Sequence, residues 1–264
     1  MIKKSAVEII ALPAFTDNYI WVLRHAGQVA VVDPGDAAPV REYLAKTGDR
    51  LCAVLVTHYH PDHIGGIAEI IAHHPAPVYG PASENIAEVS HPLHGEEHIQ
   101  LPDIDCEFDI ITLPGHTLGH IAYYDSGINK AGAIFCGDTL FAAGCGRLFE
   151  GTPAQMLASL SKLAVLPAPT FVYCTHEYTQ ANLRFALAVE PDNPAIQHRS
   201  KEVAATRAAG GYTVPTRIDL ELETNPFLRS DAPAVRAAAT MRLGHPPRDA
   251  VETFTAIRAW KDHF

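Results

Sequence analysis

Through the first two thirds of the chain the apolar positions fall in short runs rich in Val, Ile and Tyr. This pattern predicts strands over 7–12, 19–24, 29–33, 52–57, 108–113, 120–125, 133–136 and 171–174. Most of these runs end in turn chemistry: Thr16-Asp17-Asn18, Asp33-Pro34-Gly35, Leu113-Pro114-Gly115 and Gly137-Asp138. Helical spacing lies between them over 37–45, 63–72 and 153–163, the last opened by Thr152 as N-cap with Pro153 at the first helical position. Strands that follow one another hairpin-fashion, and also through helical crossovers, predict an α/β domain of mixed sheets with helices outside. From about residue 180 Ala, Glu and Arg dominate, and helices are expected over 180–189, 194–209, 232–242 and 249–260. This tail of roughly 85 residues is short for an independent core, so it reads as a helical appendage packed on the sheet domain. A chain of 264 residues fits one large domain with such an addition better than two equal halves.

Composition narrows the class. With 47% hydrophobic and 19% charged residues the chain can bury a sizeable core. Apolar stretches are too short to span a bilayer, and Glu8 and Pro13 interrupt what could pass for a signal-peptide core, so a cytoplasmic protein is expected. A formal charge of −10 without any Lys/Arg run argues against nucleic-acid or anionic-membrane partners, and any anionic ligand needs a local cationic pocket. Cys52, Cys106, Cys136, Cys145 and Cys174 are odd in number and lack Cys-x-x-Cys spacing, which favours reduced, buried thiols over disulfides or a thiolate metal site. Nothing along the chain resembles a coiled coil or an apolar stripe, so a monomer is the default.

Fifteen histidines are more than packing requires, and several are grouped. The segment Thr57-His58-Tyr59-His60-Pro61-Asp62-His63 follows a predicted strand. At i, i+2 spacing His58 and His60 point the same way from the strand end, while Asp62 and His63 open the next helix and face a second focus. Imidazole and carboxylate suit zinc, iron or manganese. An arrangement H-x-H-x-D-H arises by chance about 0.003 times in such a chain, so strand-to-helix capping is a poor account of it. His116, Asp138 and His176 each stand just after another apolar run and its turn, where α/β proteins place functional groups. Asp33 reads equally as a turn former and as a group orienting a histidine. His91, His94 and His98 are expected in a polar loop, and His120 as a supporting group.

From Pro13-Ala14-Phe15-Thr16-Asp17-Asn18-Tyr19 to Lys261-Asp262 the chain resembles the metallo-β-lactamase superfamily, and within it the hydroxyacylglutathione hydrolase (glyoxalase II) family. The resemblance implies an αββα sandwich of two mixed sheets with a C-terminal helical domain. It places a metal hydrolase domain at 1–178 and a helical substrate-binding domain at 179–264. It implies two divalent ions, zinc first with iron or manganese also suitable. His58, His60 and His116 would hold one ion, Asp62, His63 and His176 the other, and Asp138 would bridge them. Asp62 and Asp138 are the implied catalytic carboxylates. The implied reaction is hydrolysis of S-(2-hydroxyacyl)glutathione, chiefly S-D-lactoylglutathione, to D-lactate and glutathione, the second step of methylglyoxal detoxification. A hydroxide shared by the ions would be the nucleophile.

For the glutathione part, the resemblance implies contacts from Arg147 and Phe149 in Gly144-Cys145-Gly146-Arg147-Leu148-Phe149, from Tyr178, and from Arg258 and Lys261. Phe149 stands where some relatives carry tyrosine, and Arg147 where others carry lysine. Other readings on the same scaffold are a lactonase, a β-lactamase, a persulfide dioxygenase and an RNA-processing nuclease. A reading of a different class is a non-catalytic binding protein stabilised by metal. Only Tyr178, Arg258 and Lys261 speak against the lactonase, whereas the acidic charge disfavours the nuclease.

Overall fold

The structure, a computed structural model, describes residues 7–264. Residues 1–6, which include part of the segment read above for a targeting signal, lie outside the described residues. Two compact units emerge: one runs to Thr112 and takes up Gly119–Gly137, and the other comprises Leu113–Leu118 and Asp138–Phe264.

The first unit opens with a hairpin, β1 (Glu8–Ala14) against β2 (Asn18–His25), in register from Glu8 opposite Arg24 to Ala14 opposite Asn18. β3 (Gln28–Val32) pairs antiparallel with β2, and the chain then crosses through α1 (Ala37–Thr47) to β4 (Arg50–Leu55), parallel to β3. Local chemistry bounds α1: the Asp36 side chain accepts the Ala38 N–H at its start, and Gly48 at φ 72° donates to the Leu44 carbonyl at its end. After β4 come α2 (Pro61–Ile64), α3 (Ile67–His73) and two further parallel strands, β5 (Val78–Pro81) and β6 (His91–Leu93), completing a mixed six-stranded sheet. Val22, Val29, Val31 and Val54 from the sheet, Val56 just past β4, and Val40, Leu44, Ile67 and Ile70 from the helices pack in its core.

β7 (His98–Leu101), β8 (Cys106–Thr112), β9 (Ile121–Asp125) and β10 (Ala133–Gly137) pair antiparallel in sequence. Phe108, Tyr123 and Phe135, one from each of the last three, pack edge-on at 6.0 and 6.3 Å. The Tyr123 hydroxyl reaches the first sheet, donating to the Val56 carbonyl at 2.9 Å and accepting the Val56 N–H at 3.2 Å. That bond pins the backbone where β4 runs out toward His58.

The second unit holds a small hairpin, β11 (Leu140–Phe141) with β12 (Gly144–Cys145), and α4 (Pro153–Ala164), which starts with a capping box between Thr152 and Gln155. β13 (Phe171–Cys174) pairs antiparallel with β14 (Thr216–Arg217). The helices are α5 (Thr179–Val189), α6 (Pro194–Ala208), α7 (Ile218–Thr224), α8 (Pro233–Leu243) and α9 (Ala250–Asp262). Phe185, Phe227 and Phe254 are fully buried and pack ring to ring at 6.0 and 5.7 Å. No helix among the described residues is long and apolar enough to cross a membrane.

Some sequence expectations need correction. The helix expected over 63–72 is two helices, broken at Gly65-Gly66. His91 and His98 lie on β6 and β7 rather than in a loop. Each of these strands has a single partner at a sheet edge, so its polar positions face solvent and the apolar alternation that signals a strand is weak. The seven-residue α7 and the two-residue strands are too short to leave a periodic signal.

Candidate metal centre and adjoining cavity

In the first unit His58 and His63 are fully buried, and His60 and Asp62 are partly so. His58 Nε2 and His60 Nδ1 approach to 3.0 Å, and His63 Nε2 lies 3.7 Å from Asp62 Oδ2. Asp33 sets the protons of these rings. It sits at the end of β3 with φ 50°, so it is a turn former and an orienting group at once. Its Oδ1 accepts the Thr57 N–H at 2.8 Å, and its Oδ2 accepts the Thr57 hydroxyl at 2.7 Å and His63 Nδ1–H at 3.0 Å. With its hydrogen given to Asp33, Thr57 Oγ1 accepts from His58 Nδ1 at 3.1 Å. Both rings thereby carry the proton on Nδ1 and present the Nε2 lone pair. Asp62 is oriented by Asn18 Nδ2, which donates to Oδ2 at 3.0 Å. Asn18 was legible in the sequence only as part of a turn. His120 lies flat against His58 at 4.8 Å.

Close backbone approach makes this arrangement possible. A Cβ on Gly35 would fall 1.8 Å from the Asp62 carbonyl oxygen, so only glycine lets the turn carrying Asp33 lie against α2. Gly137, at φ 47°, would place a Cβ 2.3 Å from Thr57 Oγ1. That contact excludes side chains from the hydroxyl that orients His58.

In the second unit His116, Asp138 and His176 are all buried. Asp138 stands between the two rings, with Oδ2 at 3.4 Å from His116 Nε2 and Oδ1 at 3.4 Å from His176 Nε2. His116 Nδ1 donates to the Arg147 carbonyl at 2.8 Å, which again leaves Nε2 as the ligand atom. Two donors bound tetrahedrally to a zinc-sized ion at 2.0–2.1 Å lie about 3.4 Å apart. The separations of 3.0, 3.4, 3.4 and 3.7 Å match that spacing, and a carboxylate that offers a different oxygen to each of two imidazoles has the form of a shared ligand. Chemically these are the donors that hold a divalent ion, and the residues fit such a group.

A cavity of about 410 Å³ in the second unit is bounded by His116 and Asp138 and by Arg147, Phe149, Tyr178, Arg258 and Lys261, the five residues singled out from the sequence as substrate contacts. Phe141, Cys145 and Asn182 also line it, and the sequence reading missed these three in this role. The Tyr178 ring stacks flat on His176 at 4.7 Å, and Phe149, 64% exposed, meets His116 edge-on. The buried Arg258 guanidinium donates to the Cys145 carbonyl at 2.9 Å and to Asp262 Oδ1 at 3.0 Å, and Arg147 Nε lies 3.8 Å from the same oxygen. Lys261 is half-buried. Burial, and then the neighbouring Arg258, Arg184 and Arg147, hold its amine below the usual lysine range. Arg184, on α5, was not anticipated in the sequence reading. Burial pushes the Cys145 thiol up despite Arg258 beside it, so this cavity offers no thiolate nucleophile.

Comparison with known proteins gives a consistent result. Residues 14–176 match the metallo-β-lactamase superfamily, and residues 177–264 match the hydroxyacylglutathione hydrolase C-terminus. The hydroxyacylglutathione hydrolase of Pseudomonas fluorescens (strain SBW25) is 53% identical over 98% of this chain and all of its own length. That of Alkalilimnicola ehrlichii is 53% identical over 97% of this chain and 98% of its own length. Among solved structures, the BLEG-1 B3 metallo-β-lactamase superposes with a TM-score of 0.63 at 23% identity, covering 84% of this chain and 99% of that one, and so shares the fold. The donors, the cavity and the near full-length identity together place this chain in the hydroxyacylglutathione hydrolase family of the metallo-β-lactamase superfamily.

Proposed function

We propose that this thioester hydrolase acts chiefly on S-D-lactoylglutathione, releasing D-lactate and glutathione in the second step of methylglyoxal detoxification, and that it does so with two divalent ions, zinc ahead of iron or manganese. His58, His60 and His116 would hold one ion, Asp62, His63 and His176 the other, and Asp138 both. The observation that carries this reading is Asp138, with one oxygen toward His116 and the other toward His176, on the wall of a cavity rimmed by Arg147 and Lys261. When bound, the ions supply a water acidified far below bulk water, toward a pKa of about 7, and a Lewis acid for the thioester carbonyl oxygen.

The chain's own residues do the rest. Asp33 and Thr57 keep His58 and His63 in the tautomer that presents Nε2, and the Arg147 carbonyl does the same for His116. Lys261 and Arg147 offer cations to the carboxylates of the tripeptide, which an acidic protein must provide locally. Tyr178, 37% exposed over His176, presents its hydroxyl and ring to the ligand. In the hydrolysis the acyl C–S bond breaks, water oxygen joins the acyl carbon, and glutathione leaves as a thiolate stable enough to need little acid assistance. We place the boundary between hydrolytic and substrate-binding parts at 178/179. We place the protein in the cytoplasm, as a monomer.

The test is turnover of S-D-lactoylglutathione by metal-replete protein, followed as free thiol, beside lactone and β-lactam substrates. Absence of thiol release sinks the reading, and preferential lactone opening replaces it with a lactonase. In the same assay Lys261→Ala is expected to raise KM by about ten- to a hundredfold with kcat within about twofold, the cost of one charge-assisted contact. Because the Lys261 amine is held low, wild-type KM should begin to climb with rising pH below the usual lysine pKa of about 10.4, as the proton is lost. The alanine variant should lack that limb.

A further inference from the structure

The hairpin β11–β12 forms one wall of the cavity through Phe141 and Cys145, and the Phe141 ring lies edge-on to both His176 and Tyr178, at 5.7 and 5.3 Å. A pair of two-residue strands has almost no stability of its own, and its turn puts Ala143 at φ 57°, which a residue with a Cβ rarely adopts. Something else must hold this wall, and side chains from the helical elements do so at five consecutive residues. Asn225 Nδ2 donates to the Phe141 carbonyl at 3.2 Å and the Gly144 carbonyl at 2.9 Å, Asn182 Nδ2 to the Ala142 carbonyl at 3.1 Å, and Arg258 to the Cys145 carbonyl. At the turn the Ala143 N–H donates to Glu221 Oε2 at 2.7 Å.

Glu221 is the hub of this clamp. It is fully buried on α7, and Oε2 also accepts Asn225 Nδ2 at 2.9 Å. Its Oε1 accepts Arg199 Nη2 at 2.7 Å and the Thr216 hydroxyl at 2.6 Å. A carboxylate uses all four of these contacts, whereas an amide of the same shape offers one oxygen and turns two donors against another donor. Resting on the thioesterase reading above, we infer that Glu221 is a positioning residue for substrate binding, acting through the Ala143 N–H and Asn225 on the backbone of the hairpin that walls the cavity. It touches neither substrate nor metal ligand, so its loss should loosen the fit of the tripeptide while the hydrolytic step survives.

The experiment measures KM, kcat, thermal midpoint and the Ki of a non-hydrolysable S-alkyl glutathione for metal-replete wild type, Glu221→Gln, Asn225→Ser and Glu190→Gln. Glu190 is another buried carboxylate, paired with Arg229 through two bonds and outside the clamp, so its variant controls for lost stability alone. Asn225→Ser keeps the Arg199–Glu221 pair intact and decides the matter if Glu221→Gln does not fold. The expected result is KM and Ki raised together by about tenfold with kcat within about twofold in the clamp variants, against unchanged KM in Glu190→Gln. KM and Ki within twofold of wild type, or a loss confined to kcat, would overturn the proposal. Failure of the wild type itself to hydrolyse the thioester while still binding the S-alkyl glutathione would instead remove the substrate reading, and the Ki values would still test Glu221.

Discussion

Asp138→Ala is expected to lower kcat by at least about 10³-fold while KM stays within a few-fold of wild type. Removing a group that merely orients a metal ligand typically costs 10–100-fold, and Asp138 is placed to be a ligand itself, offering a separate oxygen to the site of His116 and to that of His176. Its loss should therefore exceed that range and should fall on the chemical step, because the cations that meet the tripeptide, Arg147 and Lys261, remain. Metal analysis of the same variant should show fewer bound ions than wild type. A variant that keeps its kcat would show that Asp62 suffices and that Asp138 only lines the cavity.

Stripping the metal with a chelator is expected to abolish thioester hydrolysis and to lower the thermal midpoint by about 10 °C, both restored by a divalent ion. His58, His63, His116 and His176 are all buried, and their presented nitrogens crowd His60 or a carboxylate at 3.0 to 3.7 Å. Ions held by such donors turn the crowded nitrogens into ligands and bind only the folded chain. At 1,000 times its Kd such a ligand adds about 4 kcal/mol, and each kcal/mol moves the midpoint of a domain of this size by about 2–4 °C. Scanning calorimetry before and after chelation reads the shift without reference to activity. A stripped protein that still hydrolyses the thioester would end the metal reading.

Much of the candidate site was legible because its chemistry is local. His58, His60, Asp62 and His63 fall within six positions, and the i, i+2 spacing alone predicts the approach of His58 to His60, measured at 3.0 Å. His116, Asp138 and His176 were visible as polar residues behind apolar runs. Their association rested on resemblance, since no local spacing relates residues 116, 138 and 176. Asp33 shows the limit of reading locally. Turn former and orienting group looked like alternatives, yet the left-handed turn is what aims the carboxylate at Thr57 and His63.

Beyond the donors the sequence was a poorer guide. Arg258 lines the cavity beside Lys261, but the sequence held no sign that its guanidinium is also tied to the Cys145 carbonyl and to Asp262. Asn182, Glu221 and Asn225 were silent because each bonds to backbone some 40 to 80 positions away, and a backbone N–H or carbonyl leaves no trace in the residue that owns it. The chain alone determined the kinds of donor, their tight grouping between 58 and 63, the alternation of strand and helix, and the acidic balance that demands a cationic pocket. Composition and short-range spacing suffice for those properties. Only the tertiary structure decided which carboxylate oxygen meets which imidazole, which nitrogen of each ring is presented, and what holds the hairpin at the cavity wall. Those depend on hydrogen bonds between residues distant in sequence, which exist only once folding has brought their backbones together.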